Sequence, residues 1–251
     1  MKKMKVALLQ VSVKEGDIER NLEMIRLVMN SVVADAYFTP EMALSGFQVD
    51  DLETFKIDGI WGIIKEISEG TVLGMGGPLY EGGKLYNSYL IFEDGKLIHA
   101  RRKKLLFDLM NERELFSEGE FPEPFQLHGM KFAVVICYEL RFPELFWKLA
   151  RQGVHAFLVP AAWPASRVEA WRALIRARAI ENLAYVLAVN RWGKGKYGPF
   201  GGYSALIDPS GEGYELGEGV GALVGELDPE VVLKAREFPS WKDRLRYFDL
   251  D

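Results

Sequence analysis

Short apolar runs, most of them too brief for helices, recur along this chain, and their number limits its architecture more than any other feature. Residues 5–11, 36–39, 71–79, 86–92, 96–102, 131–137, 155–160, 185–190, 203–207 and 220–227 each read as a strand. Helical spacing appears between several of them. Asp17 caps a segment in which Leu22, Ile25, Met29 and Val32 share a face, and similar patterns run over 55–67, 144–152 and 167–183. Glu93-Asp94-Gly95 is a hairpin turn, and Asp208-Pro209-Ser210-Gly211 predicts a second hairpin pairing 203–207 with 220–227. A short helix over 229–237 precedes an aromatic tail, expected to be irregular from about residue 238. Strands alternating with helices and broken by hairpins indicate α/β mixed sheets with helices outside them. About a dozen strands are too many for one flat doubly wound sheet of this length. Two mixed sheets packed face to face, each covered by helices, would bury all the runs: a four-layer α-β-β-α sandwich.

Composition sets the outer limits. With 251 residues, 49% of them hydrophobic, the chain can bury one large core. No linker or low-complexity tract divides it, so residues 1–251 are expected to form a single domain. A net charge of -5 argues against a nucleic-acid surface, and Arg101-Arg102-Lys103-Lys104 is too short a basic cluster to alter that. No apolar stretch is long enough to span a membrane, and Met1-Lys2-Lys3-Met4 leads into a strand rather than a signal peptide. One cysteine permits no intrachain disulfide, so the cytoplasm is the expected compartment. There is no H-E-x-x-H, no cysteine pair and no phosphate-binding glycine loop, so neither metal nor cofactor is expected.

That one cysteine, Cys137, follows Phe132-Ala133-Val134-Val135-Ile136 and so stands at a strand's carboxyl end, where α/β proteins collect catalytic groups. A helix beginning near Pro143 would favour a thiolate or oxyanion nearby. A lone cysteine can equally be a small buried hydrophobe, so its surroundings must decide. The three histidines lie in a strand (His99), a turn (His128) and at a strand start (His155), with no sequence context that would orient an imidazole. Carboxylates and lysines remain. Glu41 follows a strand-ending proline among apolar neighbours, a setting that raises a carboxyl pKa and suits it to moving protons. Lys103 ends the strand 96–102 and precedes Leu105-Leu106-Phe107, where an ammonium could face a developing oxyanion.

Together these segments resemble the nitrilase superfamily of carbon–nitrogen hydrolases. Thr39-Pro40-Glu41-Met42, Arg102-Lys103-Lys104-Leu105-Leu106-Phe107 and Cys137-Tyr138-Glu139-Leu140-Arg141-Phe142-Pro143-Glu144 are similar to its glutamate, lysine and cysteine motifs, in the family's order. Trp163-Pro164 with Arg167, Arg176–Asn182 and Val189-Asn190-Arg191 is similar to the bacterial omega-amidase-like branch, as is Asn111-Glu112-Arg113-Glu114. The resemblance implies a Glu41–Lys103–Cys137 triad and a second glutamate, Glu112 or, as its alternative, Glu114. It implies hydrolysis of a small amide through a thioester, with Lys103 and the Tyr138 N–H holding the oxyanion and Trp163 and Arg167 at the substrate. True nitriles, N-carbamoyl compounds and a non-catalytic interaction module on the same fold stand as alternatives. Two departures, Leu105 for the family's histidine and Glu139 for its aspartate, are expected to bear on substrate preference. The family usually pairs through the helix after the cysteine. Here Leu145, Phe146, Trp147 and Leu149, with Trp241, Tyr247 and Phe248, predict a homodimer or higher homo-oligomer.

Overall fold

A computed structural model describes residues 3–248. Its strands are β1 (Met4–Gln10), β2 (Ala36–Phe38), β3 (Val72–Glu81), β4 (Lys84–Glu93), β5 (Lys96–Arg102), β6 (Phe125–Leu127), β7 (Met130–Val134), β8 (Ala156–Ala161), β9 (Tyr185–Asn190), β10 (Trp192–Gly195), β11 (Gly198–Gly201), β12 (Ala205–Ile207), β13 (Gly213–Glu215) and β14 (Gly221–Leu227). Its helices are α1 (Ile18–Met29), α2 (Ile60–Ile67), α3 (Glu112–Leu115), α4 (Pro143–Arg151), α5 (Val168–Asn182), α6 (Pro229–Ala235) and α7 (Pro239–Tyr247). Two six-stranded sheets, ordered β14-β1-β2-β3-β4-β5 and β13-β12-β9-β8-β7-β6, account for all but the β10–β11 ribbon. In each, the central strands are parallel (β1–β2–β3 and β7–β8–β9) and the flanks antiparallel.

Side-chain alternation explains the layering. Val6 and Leu8 of β1 join Phe38, Tyr89 and Ile91 in the space between the sheets, facing β7, β8 and β9. Ala7 and Leu9, the alternate set, pack outward with Leu22 and Ile25 of α1 and Trp61 and Ile64 of α2. On the other side, α4 and α5 cover the second sheet through Phe146, against Phe157 at 4.8 Å, and through Trp171 and Ile175. The expected four layers are present.

Face-to-face packing brings the carboxyl ends of β2, β5, β7 and β8 to one edge, and the chain there is unusually tight. β3 passes beneath the turn after β2 at Gly76, where a Cβ would lie 2.3 Å from the Pro40 oxygen. Gly119 packs equally close behind β5, its missing Cβ 2.3 Å from the Arg102 oxygen, while its N–H donates to Lys103 O at 2.9 Å.

Five local expectations need correction. Residues 203–207 and 220–227 do not pair: β12 pairs with β13 across the Asp208–Gly211 turn, while β14 crosses to the other sheet and runs antiparallel to β1. Pairing of sequence neighbours is the usual outcome, but here Gly225 of β14 packs face-on against the Leu206 side chain. The tail from 238 is a helix, begun by Pro239 and docked by Trp241 edge-on to Trp147 at 5.5 Å. The helix expected over 55–67 starts only at Ile60, after a separate 3₁₀ turn at Glu53–Phe55. The strand before the cysteine stops at Val134, and Cys137 opens a 3₁₀ turn. Finally, Leu145, Phe146 and Leu149 of α4 are buried in the chain's own core, so they offer no free apolar face to a partner.

Candidate active site

Glu41, Lys103, Glu112 and Cys137 come from four separate segments and meet in one buried cluster. Lys103 Nζ donates to Glu41 Oε1 and to Glu112 Oε1, each at 2.8 Å, and all three side chains are essentially inaccessible. The remaining carboxylate lone pairs are also used. Asn87 Nδ2 donates to Glu41 Oε1 at 2.8 Å and to Glu112 Oε1 at 3.4 Å, the Ala162 N–H to Glu41 Oε2 at 3.0 Å, and the Phe107 N–H to Glu112 Oε2 at 2.9 Å. Cys137 lies close enough to Glu41, Lys103 and Glu112 for its thiol to feel the charge of each. Glu114, the alternative second glutamate, is exposed on the far side of the α3 turn.

Cys137 takes a left-handed backbone conformation, φ 48°, rare for a residue with a side chain. The turn lifts it out of the strand, so its 5%-exposed side chain lines the pocket rather than a sheet face. Tyr138 is the second residue of the same turn, where a helix leaves backbone N–H groups without acceptors of its own.

Electrostatics distinguish the members. Burial alone would drag the Lys103 pKa down, but the charges of Glu112 and Glu41, with that of Cys137, more than reverse it, and the ammonium persists well above the ordinary lysine range. Burial raises the Glu112 carboxyl against the pull of Lys103. The Cys137 thiol is pushed well above the usual thiol range, by burial first and by the Glu41 carboxylate next, with Lys103 opposing. The resting site therefore holds a thiol, and the Glu41 carboxylate beside it is placed to take its proton when a new bond forms.

Over the sulfur lies a pocket of about 270 Å³, its open mouth included, lined by Phe107, Met110, Cys137, Tyr138, Arg141, Ala162, Trp163, Pro164 and Arg167. Tyr138 packs against Phe107 at 4.8 Å between ring centres. Trp163 is anchored by its N–H to Asn190 Oδ1 at 2.7 Å and by its indole N–H to Arg167 O at 2.9 Å. Two exposed guanidiniums flank the mouth, Arg141 over the Trp163 ring at 4.9 Å and Arg167 near the Phe107 ring at 6.0 Å. Neither forms an ion pair with a carboxylate among the described residues.

The histidines are elsewhere: His99 stacks on Phe125, His128 contacts Glu93, and His155 Nδ1 accepts from the Lys131 N–H. Among the described residues no group of three or more His, Cys, Asp or Glu could hold a metal ion. Neither departure from the family motifs reaches the pocket. Leu105 packs against the core between the sheets, and Glu139 is buried against backbone amides. The two substitutions thus belong to the scaffold under the site rather than to the pocket lining. Sequence reading missed Asn87 and Arg141. An asparagine inside an apolar strand is unusual enough to have drawn attention to the first, and the second lies within the cysteine motif itself.

Comparison with known proteins agrees with this architecture. A carbon–nitrogen hydrolase family model matches residues 5–237, and the chain belongs to that family. Within it, the chain is 31% identical over 242 residues to a 2-oxoglutaramate amidase of Bacillus subtilis, covering 92% of this chain and 93% of that one. The crystal structure of Saccharomyces cerevisiae Nit3, a member of branch 10 of the nitrilase superfamily, is similar with a TM-score of 0.80 at 29% identity over 94% of each chain. A mutant amidase from Nesterenkonia sp. AN1, with the acetamide moiety of fluoroacetamide covalently added at its active-site cysteine, is similar with a TM-score of 0.83 at 25% identity, over 96% and 95% of the chains.

Because Cys137 is the sole cysteine, the pH dependence of iodoacetamide alkylation at that residue, read by mass spectrometry, reports its thiolate alone. Alkylation should be slow at neutral pH and accelerate only above the ordinary thiol value of about 8.5. Lys103→Met removes the one charge that lowers this pKa and should move the transition higher still. A thiolate already present at neutral pH in the wild-type protein would contradict the site's electrostatics.

Proposed function

We propose that this protein hydrolyses the omega-amide of a small dicarboxylic acid, 2-oxoglutaramate being the prime candidate, through a thioester on Cys137. The observation that carries this reading is the buried Glu41–Lys103 ion pair at 2.8 Å, within electrostatic reach of the Cys137 thiol that lines the pocket. In the reaction, Glu41 takes the thiol proton as Sγ bonds to the amide carbon. Lys103 Nζ and the Tyr138 N–H hold the resulting oxyanion. Protonated Glu41 returns its proton to the leaving nitrogen, the C–N bond breaks, and ammonia departs from the thioester. Glu41 then deprotonates a water that attacks the thioester, and the displaced thiolate recovers the proton as the acid leaves. Glu112 orients Lys103 through its 2.8 Å bond.

The amide with its chain fits a small, mostly apolar pocket, and the two guanidiniums at the mouth suit a carboxylate at the far end. Arg167 was expected there from sequence; Arg141 joins it. The naming of the Bacillus relative as a 2-oxoglutaramate amidase points the same way. We also read the chain as one domain, since a single core between the sheets runs from Met4 to Val232. A cytoplasmic location accords with a free thiol, although the structure itself says only that no described helix is long and apolar enough to cross a membrane. A homodimer would cover the exposed Val231, Leu233, Phe238, Tyr247 and Phe248 around α6 and α7.

Cys137→Ala should abolish turnover with the fold intact, while Glu41→Gln and Lys103→Ala should each cost on the order of a hundredfold or more. Mass spectrometry with a slow amide should find the acyl group on Cys137, and substantial activity in Cys137→Ala would end the proposal. In an ammonia-release screen, omega-amides of dicarboxylates should outperform uncharged amides, nitriles and N-carbamoyl compounds. Arg167→Ala and Arg141→Ala should raise KM for omega-amides far more than for uncharged aliphatic amides. Equal losses on both substrate types would remove the arginines from the carboxylate subsite. Sedimentation at micromolar concentration should give at least a dimer, and a clean 28.4 kDa monomer would exclude one.

A further inference from the structure

Lys103 and Cys137 must reach the same carbonyl group, yet no sheet ladder connects them. Lys103 follows β5, the edge of one sheet, and Cys137 follows β7, in the other. Between them lies Glu139, fully buried. Its Oε2 accepts from the N–H of Ile136, the residue before Cys137, at 2.8 Å. Its Oε1 accepts from the N–H groups of Lys104 and Leu105, the two residues after Lys103, at 2.9 and 3.2 Å, and from Arg101 at 2.6 Å. One carboxylate therefore ties the backbone on the far side of Lys103 to the backbone on the near side of Cys137.

Arg101 is 3% exposed, and Glu139 is the one partner its guanidinium has among the described residues, its Nε and second amino group having none. A buried arginine with so few bonds is costly unless the one contact matters. The chemistry of the clamp also demands a carboxylate. All four groups directed at it are N–H donors, and a carboxylate is the side chain that accepts on both oxygens and donates nothing. Glutamine, of the same shape, would set an NH₂ against at least one of those donors. Support of this kind is needed where it acts, because Cys137 holds a left-handed conformation that relaxes unless its surroundings fix it.

We propose that Glu139, held by Arg101, is a positioning residue that fixes the spacing between the Lys103 ammonium and the Cys137 sulfur. The proposal rests on the reading of those two groups as oxyanion holder and nucleophile. A displacement of about 1 Å in such a pair is enough to cost on the order of a hundredfold in rate.

The test counts turnover per reactive site, with sites titrated by the mass of the covalent adduct on Cys137, so that a loss of folded protein is not mistaken for a loss of rate. Glu139→Gln should lower turnover per site by roughly ten- to a hundredfold and slow iodoacetamide alkylation of Cys137 in parallel. Arg101→Met should act in the same direction, and Arg101→Lys should recover most of the rate, since an ammonium can still reach one oxygen. A purely architectural role predicts fewer sites, each turning over at the wild-type rate, and that result overturns the proposal. Should Glu139→Gln not fold, the Arg101 pair decides: wild-type turnover per site in Arg101→Met overturns it equally. Activity surviving in Cys137→Ala would instead bring down the underlying mechanism, whereas an inactive Cys137→Ala beside a normal Glu139→Gln removes the clamp alone.

Discussion

A lysine ammonium buried between two carboxylates is the interaction on which the rest of this structure depends. Stripping three ionisable groups of water is unfavourable unless geometry and hydrogen bonding are nearly complete. Here Lys103 bonds to both Glu41 and Glu112 at 2.8 Å, and the carboxylates receive further N–H groups from Asn87, Ala162 and Phe107. Those donors lie in β4, just past β8, and in the loop after Lys103, so the cluster is satisfied only when both sheets are docked in register. Fold and site are therefore one problem: the four-layer core sets the register, and the register completes the charge cluster. An ammonium fixed by burial and two anions does not have to reorganise when an oxyanion forms beside it, and that preorganisation is the larger part of what such sites contribute.

Much of this was legible beforehand, for reasons that can be located. Glu41, Lys103 and Cys137 each stand just beyond a strand-like run, and strand ends are recognisable because a short apolar segment gives way abruptly to polar or proline-containing sequence. That sheets must stack was readable from the number of runs. Glu112 emerged through the family resemblance, since nothing in Asn111-Glu112-Arg113-Glu114 by itself says which glutamate turns inward; the left-handed Asn111 and the α3 turn decide it.

What was not legible shares one cause, in that it depends on contacts between segments distant in sequence. The β12–β14 hairpin was expected from a good turn, but the turn joins β12 to β13 and β14 belongs to β1. The tail looked irregular because α7 has no buried residue of its own, and its docking rests on Trp241 against Trp147 and Arg244 over the same ring at 3.8 Å. The apolar face of α4 resembled an interface until the second sheet covered it. Glu139 looked like a variation near the substrate, and only the meeting of two strand ends from different sheets shows it turned toward backbone.

The pairing of β14 with β1 has a consequence for how the molecule comes into being on the ribosome. Among the described strands β1 is made before all the others, and its neighbour on one side is completed only at Leu227, after both sheets' central strands have been made. Until then one edge of β1 stays unpaired, with apolar side chains on both its faces. Contacts so far apart in sequence close slowly, and nascent chains carrying open edges are the ones that aggregate. The first sheet therefore closes only once residues 221–227 are available to it, and a chain broken off before residue 221 lacks the strand that protects β1.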